Sequence, residues 1–294
     1  GSRRQQTADS FAVKHGGRGI AGYEALINDP DVDAVYISLP NGLHAEWSIK
    51  AMEAGKDVLC EKPMACNHAE AKAMFDAAER TGQLLVEAFM YRTLPAVRKL
   101  IEMVRGGTLG QVKLIRSNFS FTREVLEGDA RYEPGQAGGG LMDVGCYPIT
   151  YARFVFGEEP VSVMAACHTD ADYDVDTRAS IILTFAGNRH ASLQQGFDAP
   201  GGQQVLIHGS DGYLDVLTPC HPTSEDHFTI HTGGEPEVVE VNAGVRPFAP
   251  AIEHFHDCLL DGVEPIATGA NATGTLRIIE AVLESSRTGR RIDL

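Results

Sequence analysis

The sequence has no apolar run that approaches the length of a membrane span, and its opening Gly-Ser-Arg-Arg-Gln-Gln lacks the apolar core of a signal peptide. Its six cysteines, Cys60, Cys66, Cys146, Cys167, Cys220 and Cys258, form no C-x-x-C pair and share no zinc-ligand spacing with the histidines. Reduced thiols in a cytoplasmic protein are the expectation. Basic residues are scarce: 25 Lys and Arg against 40 Asp and Glu leave a net charge of −15, which repels phosphate backbones and anionic lipid. No local basic patch offsets it, so the expected partner is a small molecule rather than nucleic acid or membrane. There is no internal repeat and no low-complexity stretch.

What is present is an ordinary globular composition, 43% hydrophobic and 22% charged, over 294 residues. At roughly 100 to 200 residues per domain, that length points to two domains, placed at 1–92 and 93–294. Up to about Ala88, short apolar runs alternate with helical segments. Strands are expected over 33–39, 57–60 and 84–87, and helices over 7–15, 43–54 and 69–80, with Gly55 and Gly82 as caps. Strands this short and apolar belong to a parallel sheet covered on both faces.

After a connecting helix over 95–105 the rhythm changes. Strand candidates at 112–121, 161–169, 177–185, 190–197, 204–208, 228–231 and 238–241 are separated by Gly, Pro and Asn turns. One helix over about 140–156 interrupts them, and two more over 250–260 and 272–287 close the chain. The fold class is therefore α/β, a Rossmann-type parallel sheet followed by an α+β domain with a large, mostly antiparallel open sheet.

Gly17-Arg18-Gly19-Ile20-Ala21-Gly22 fits G-x-G-x-x-G, but helical residues precede it and too short a segment follows before Asp29-Pro30. The pattern binds pyrophosphate only between a strand and a long helix, so here it is expected to be a helix-to-strand connection. Two other places carry chemistry. The strand at 57–60 runs into Glu61-Lys62-Pro63, and ligands of open parallel sheets bind beyond the carboxyl ends of the strands. In Gly138-Gly139-Gly140-Leu141-Met142-Asp143-Val144-Gly145-Cys146-Tyr147, an α-helix would set Asp143 and Tyr147 on one face. A tyrosine, with an ordinary pKa near 10, needs a cation such as Lys62 beside it to act as a base at neutral pH. Each motif alone has a bland reading, a loop lysine or a packed helix.

Together with Leu39-Pro40-Asn41-Gly42-Leu43-His44, Asp31 to Ile37, Gly107-Thr108-Leu109-Gly110 and the approach Ala54-Gly55-Lys56-Asp57, these motifs closely resemble, in order and spacing, the glucose–fructose oxidoreductase, inositol dehydrogenase and MocA family over nearly the whole chain. The resemblance implies hydride transfer between NAD(P) and a sugar, polyol or related alcohol. It implies Lys62 as the catalytic lysine, Asp143 as the residue that orients substrate and Tyr147 as acid/base. Tyrosine at that place, where many members carry histidine, resembles the branch of xylose and dimeric dihydrodiol dehydrogenases.

Implied cofactor contacts fall on Leu39, Pro40, Asn41 and His44 near the nicotinamide-side ribose, on Glu61 and Lys62, and on Arg131. Ser2-Arg3-Arg4 resembles the segment that receives the 2′-phosphate, so NADP is expected ahead of NAD. The family's first strand, glycine turn, helix and second strand are missing, about 35 residues by the length of a βαβ unit. A truncated chain with strands 3 and 4 short of neighbours is therefore expected. Rival readings are a non-catalytic NADP-sensing regulator and the NAD-dependent glycosidase branch, which carries histidine where Tyr147 stands. A homodimer or homotetramer built on the open sheet is implied. His254 and His256, two apart on a helix, are not expected to share a metal, and His221, His227 and His231 are read as solvated or structural.

Overall fold

The computed structural model describes residues 1–220, 227–241 and 248–294. The first layer is a three-stranded parallel sheet in the order β1 (Ala34–Ile37), β2 (Asp57–Glu61), β3 (Leu85–Ala88). The middle residues of β2 and every residue of β3 are buried, as the apolar runs require when helices cover both faces. The crossover helices are α3 (His44–Glu53) and α4 (His68–Thr81).

Helix α4 starts where Asn67 accepts the Glu70 N–H at 2.8 Å while Glu70 accepts the Cys66 N–H at 3.1 Å, and it stops at Gly82 in the left-handed region. Helices α1 (Gln5–His15) and α2 (Tyr23–Ile27) precede the sheet. The Gly17 to Gly22 motif follows no strand, but it joins two helices rather than a helix and a strand, because Tyr23–Ile27 forms a short helix before β1 begins. Its only ladder contact among the described residues is an isolated parallel bridge from Ala21 to Ser2, and β1 has a strand partner on one side only.

Helix α5 (Pro95–Arg105) leads out of this layer. Proline occupies its first turn, and Val97, Leu100, Ile101 and Val104 are buried at helical spacing. The second layer is a nine-stranded sheet. Its strands are β4 (Leu114–Thr122), β5 (Ser162–Thr169), β6 (Asp176–Phe185), β7 (Arg189–Gly196), β8 (Asp198–His208), β9 (Tyr213–Leu217), β10 (His227–His231), β11 (Glu237–Glu240) and β12 (Ile292–Asp293). They are ordered β11-β10-β9-β8-β4-β7-β6-β5-β12, and among the described residues β4 with β7 is its one parallel pair.

Helices α6 (Cys146–Phe156), α7 (Ala249–Asp261) and α8 (Gly269–Thr288) complete the fold. Strands β9 and β12 and the first half of β8 were not anticipated. In β9, Asp215 is a poor strand former, and its carboxylate is satisfied across the ladder by Gln204 Nε2 at 2.8 Å.

Candidate active site

The carboxyl ends of β1 and β2 face the start of α6 across an open cleft of about 820 Å³. Leu39, Asn41 and His44 line it after β1, Glu61 and Lys62 after β2, and Arg131, Gly138 and Asp143 from the opposite wall. Asn41 Nδ2 ties the two walls by donating to the Ala137 carbonyl at 3.0 Å. With Pro40, seven residues expected to contact the cofactor thus meet in one place.

Lys62 is the hub. Its Nζ donates to the Asp143 carbonyl at 2.6 Å, lies 3.5 Å from Asp143 Oδ1 and stands 5.0 Å from the centroid of the Tyr147 ring. Arg131 Nε donates to the other oxygen of Asp143 at 2.9 Å, so one carboxylate faces two cations. Arg131 is held in turn by Asp129, whose carboxylate accepts its N–H and Nη1 and also Arg123 Nε at 2.9 Å. Neither Asp129 nor Arg123 carries a motif, and only their nearness to Arg131 in sequence could have flagged them.

The segment 141–145 is not the α-helix expected. It forms a π-turn and only then becomes α6. Its wide turn is closed by the Cys146 N–H donating to the Leu141 carbonyl, five residues back. Despite the wider turn, both Asp143 and Tyr147 still reach Lys62.

Tyr147 is 4% exposed, packed edge-on against Phe89 and Phe119. Burial, and after it the nearby thiols Cys146 and Cys220 and the carboxyls of Glu61 and Asp143, push its pKa well above the ordinary value. The cation beside it therefore does not give a net lowering here, contrary to expectation, because loss of solvent outweighs it. Tyr36 donates a short hydrogen bond to Glu61. His44 is 1% exposed, and its ring nitrogens sit 3.0 Å from the Pro63 carbonyl and 2.7 Å from the Leu39 carbonyl. Burial lowers its pKa against those two carbonyls.

Ser2 and Arg3 stand outside the cleft. A second depression, about 500 Å³, shares Ser38 and Leu39 with it and follows the open edge of β1 to Gly1, next to them. Of the remaining histidines, His254 Nε2 accepts the Ile266 N–H at 2.9 Å and His256 is exposed beside Asp257. The ring of His231 stacks on Tyr213, and His221 lies outside the described residues. Among the described residues no group of three or more His, Cys, Asp or Glu could hold a metal ion, and all six cysteines are free.

Two family models match this chain: the oxidoreductase family with NAD-binding Rossmann fold over residues 1–89, and the GFO/IDH/MocA C-terminal domain over 97–215. A D-xylose 1-dehydrogenase (NADP(+)) from Haloferax volcanii is 37% identical, with 92% of this chain and 83% of that protein covered. A trans-1,2-dihydrobenzene-1,2-diol dehydrogenase from Xenopus laevis is 31% identical over 96% of this chain and 87% of its own. The crystal structure of an aldose–aldose oxidoreductase from Caulobacter crescentus superposes with a TM-score of 0.92 at 30% identity, covering 100% of this chain and 90% of that one. By these two matches and by relatives similar over nearly its whole length, the chain belongs to the GFO/IDH/MocA family of NAD(P)-dependent oxidoreductases.

Proposed function

We propose that this protein is an NADP-dependent dehydrogenase or reductase that moves hydride between nicotinamide and a hydroxyl of a sugar, polyol or dihydrodiol. The observation that carries the reading is the meeting of Lys62, Asp143 and Tyr147 at the mouth of two parallel strands. When bound, the dinucleotide supplies the hydride acceptor or donor. Leu39, Asn41, His44, Glu61 and Arg131 form its nicotinamide end, and Ser2 and Arg3 its 2′-phosphate end, reached along the β1 edge.

Tyr147 enters as a phenol and gives its proton to the substrate carbonyl oxygen as hydride reaches the same carbon; in the oxidative direction the same hydroxyl must first lose its proton, and the phenolate then takes the alcohol proton. Lys62 has three N–H bonds. One meets the Asp143 carbonyl, the carboxylate of the same residue fixes the ammonium, and a free N–H remains for the substrate oxygen. Asp143, steered by Arg131, orients the substrate hydroxyls.

The same reading divides the chain at 1–92 and 93–294, places it in the cytoplasm and makes it a dimer or tetramer. Exposed apolar side chains such as Met164 and Ile182, paired in register on the outer face of the large sheet, support the last point. The test is NADPH formation from D-xylose, other aldoses and trans-dihydrodiols, beside an NADPH fluorescence titration. Turnover preferring NADP+ over NAD+ supports the reading. Binding without turnover would point to the regulatory role instead, and neither binding nor turnover would refute both.

A further inference from the structure

Asp176 opens β6 on the far side of the glycine run from the cleft, and it lines no part of that cleft. It is 7% exposed, and its Oδ2 accepts the Leu141 N–H at 2.7 Å and Gln195 Nε2 from β7 at 3.1 Å. Leu141 is the first residue of the π-turn, two before Asp143.

The glycines are shaped to this pair. A Cβ at Gly139, where φ is +110°, would lie 2.3 Å from Asp176 Oδ1, and one at Gly140 would lie 2.4 Å from Gln195 Oε1. A Cβ at Gly138 would meet the Arg131 carbonyl at 2.5 Å. The run Gly138-Gly139-Gly140 therefore lets the chain press onto two polar side chains of the sheet and onto the segment carrying Arg131. From there the connection to the centre is short. The Gly139 carbonyl accepts the Asp143 N–H at 3.0 Å, and the Asp143 carbonyl and carboxylate meet Lys62.

We propose that Asp176 is a positioning residue, whose carboxylate pins the start of the π-turn to β6 and β7 and so sets Asp143 against Lys62. The proposal rests on the assignment of Lys62 and Asp143 to the catalytic centre. Burial raises the Asp176 carboxyl to about 6, against the opposing pull of the Leu141 N–H and the Gln195 amide. Above that pH both its oxygens only accept, as the two donors require. No ion pair to a Lys, Arg or His is formed by Asp176 among the described residues. Its role is thus geometric: misplacing a reacting group by about 1 Å can cost on the order of a hundredfold in rate.

The test is a double-mutant cycle on kcat, using the substrate and NADP+ pair of highest turnover in the panel above. Asp176→Ala should lower kcat by about tenfold or more in the parent chain and by less than about twofold in Asp143→Ala, because its effect passes through Asp143. Asp176→Asn keeps an acceptor for Leu141 and should retain kcat within about threefold. NADPH affinity should stay unchanged in the two Asp176 variants. Backbone amide exchange over 138–147 should quicken in Asp176→Ala and not in Asp176→Asn.

Equal losses from Asp176→Ala in both backgrounds, or unchanged exchange and kcat, would overturn the proposal. An Asp143→Ala variant with full kcat would instead show that the centre itself is misassigned, and the proposal would fall with it. If Asp176→Ala does not fold, an Asp176→Asn variant that folds but loses kcat as Asp143→Ala does would overturn it as well.

Discussion

Glu87 sits in the middle of β3, 6% exposed, and its Oε1 accepts the Met64 N–H at 3.0 Å, directly after the Lys62-Pro63 peptide. Burial pushes its carboxyl up to about 7, while Arg92, the Met64 N–H, Arg153 and Lys62 pull the other way. Among the described residues no ion pair relieves it. Arg92, itself buried, leaves Nε and Nη1 without a hydrogen-bond partner among the described residues and lies over the Phe154 ring instead.

An unfolded chain holds this carboxyl at its ordinary value of 4.5, so between about pH 4.5 and 7 the native state keeps a proton that the unfolded state has released. Stability must therefore fall as pH rises through that window. At 1.36 kcal/mol per pKa unit, the full penalty above pH 7 is about 3 kcal/mol. Glu87→Gln keeps an oxygen for Met64 and cannot ionise. It should match the parent near pH 5 and exceed it by about 3 kcal/mol at pH 8, read from urea unfolding of both proteins at both pH values. A difference that is the same at the two pH values would show that Glu87 is ionised throughout. A loss of stability at pH 8 would show the carboxylate to be stabilising; either result refutes the reasoning.

Tyr147→Phe removes only a hydroxyl from a ring packed by Phe89 and Phe119, so folding and NADPH affinity should hold while turnover falls about 10²- to 10⁴-fold; an unchanged kcat would end its acid/base role. Arg3→Ala should weaken NADP+ about tenfold and leave NAD+ as it is, measured by fluorescence titration of both reduced forms, if the 2′-phosphate lies beyond the β1 edge. His44→Phe removes two ring nitrogens from carbonyls at 3.0 and 2.7 Å. It should cost about 1–3 kcal/mol in urea unfolding and raise the Kd for NADPH, since the Leu39 and Pro63 loops are no longer clamped together.

Much of this was legible in order. Helix α5 was anticipated over its full length, because Pro95, four buried apolar residues at helical spacing and Gly106-Gly107 mark its start, face and end. The Glu61-Lys62-Pro63 and Gly138 to Tyr147 motifs could be identified because chemistry constrains residue types locally. The π-turn could not be, since a helical pattern of side chains does not specify whether hydrogen bonds run to the fourth or the fifth residue. Strand β9 was hidden for the opposite reason: a residue unsuited to strands, Asp215, is satisfied by a partner on β8 that only pairing brings near.

The sequence by itself determined the two rhythms, the strand ends that face a ligand and the residues able to bear charge there, because burial periodicity and turn chemistry act over a few residues at a time. Tertiary structure alone decided that Lys62 and Asp143, 81 residues apart, share a hydrogen bond, that Arg131 completes the pair, and that Tyr147 is a buried phenol. It also decided that three glycines close on Asp176 and Gln195. Those outcomes depend on distance and desolvation between distant segments, and neither quantity exists before the layers pack.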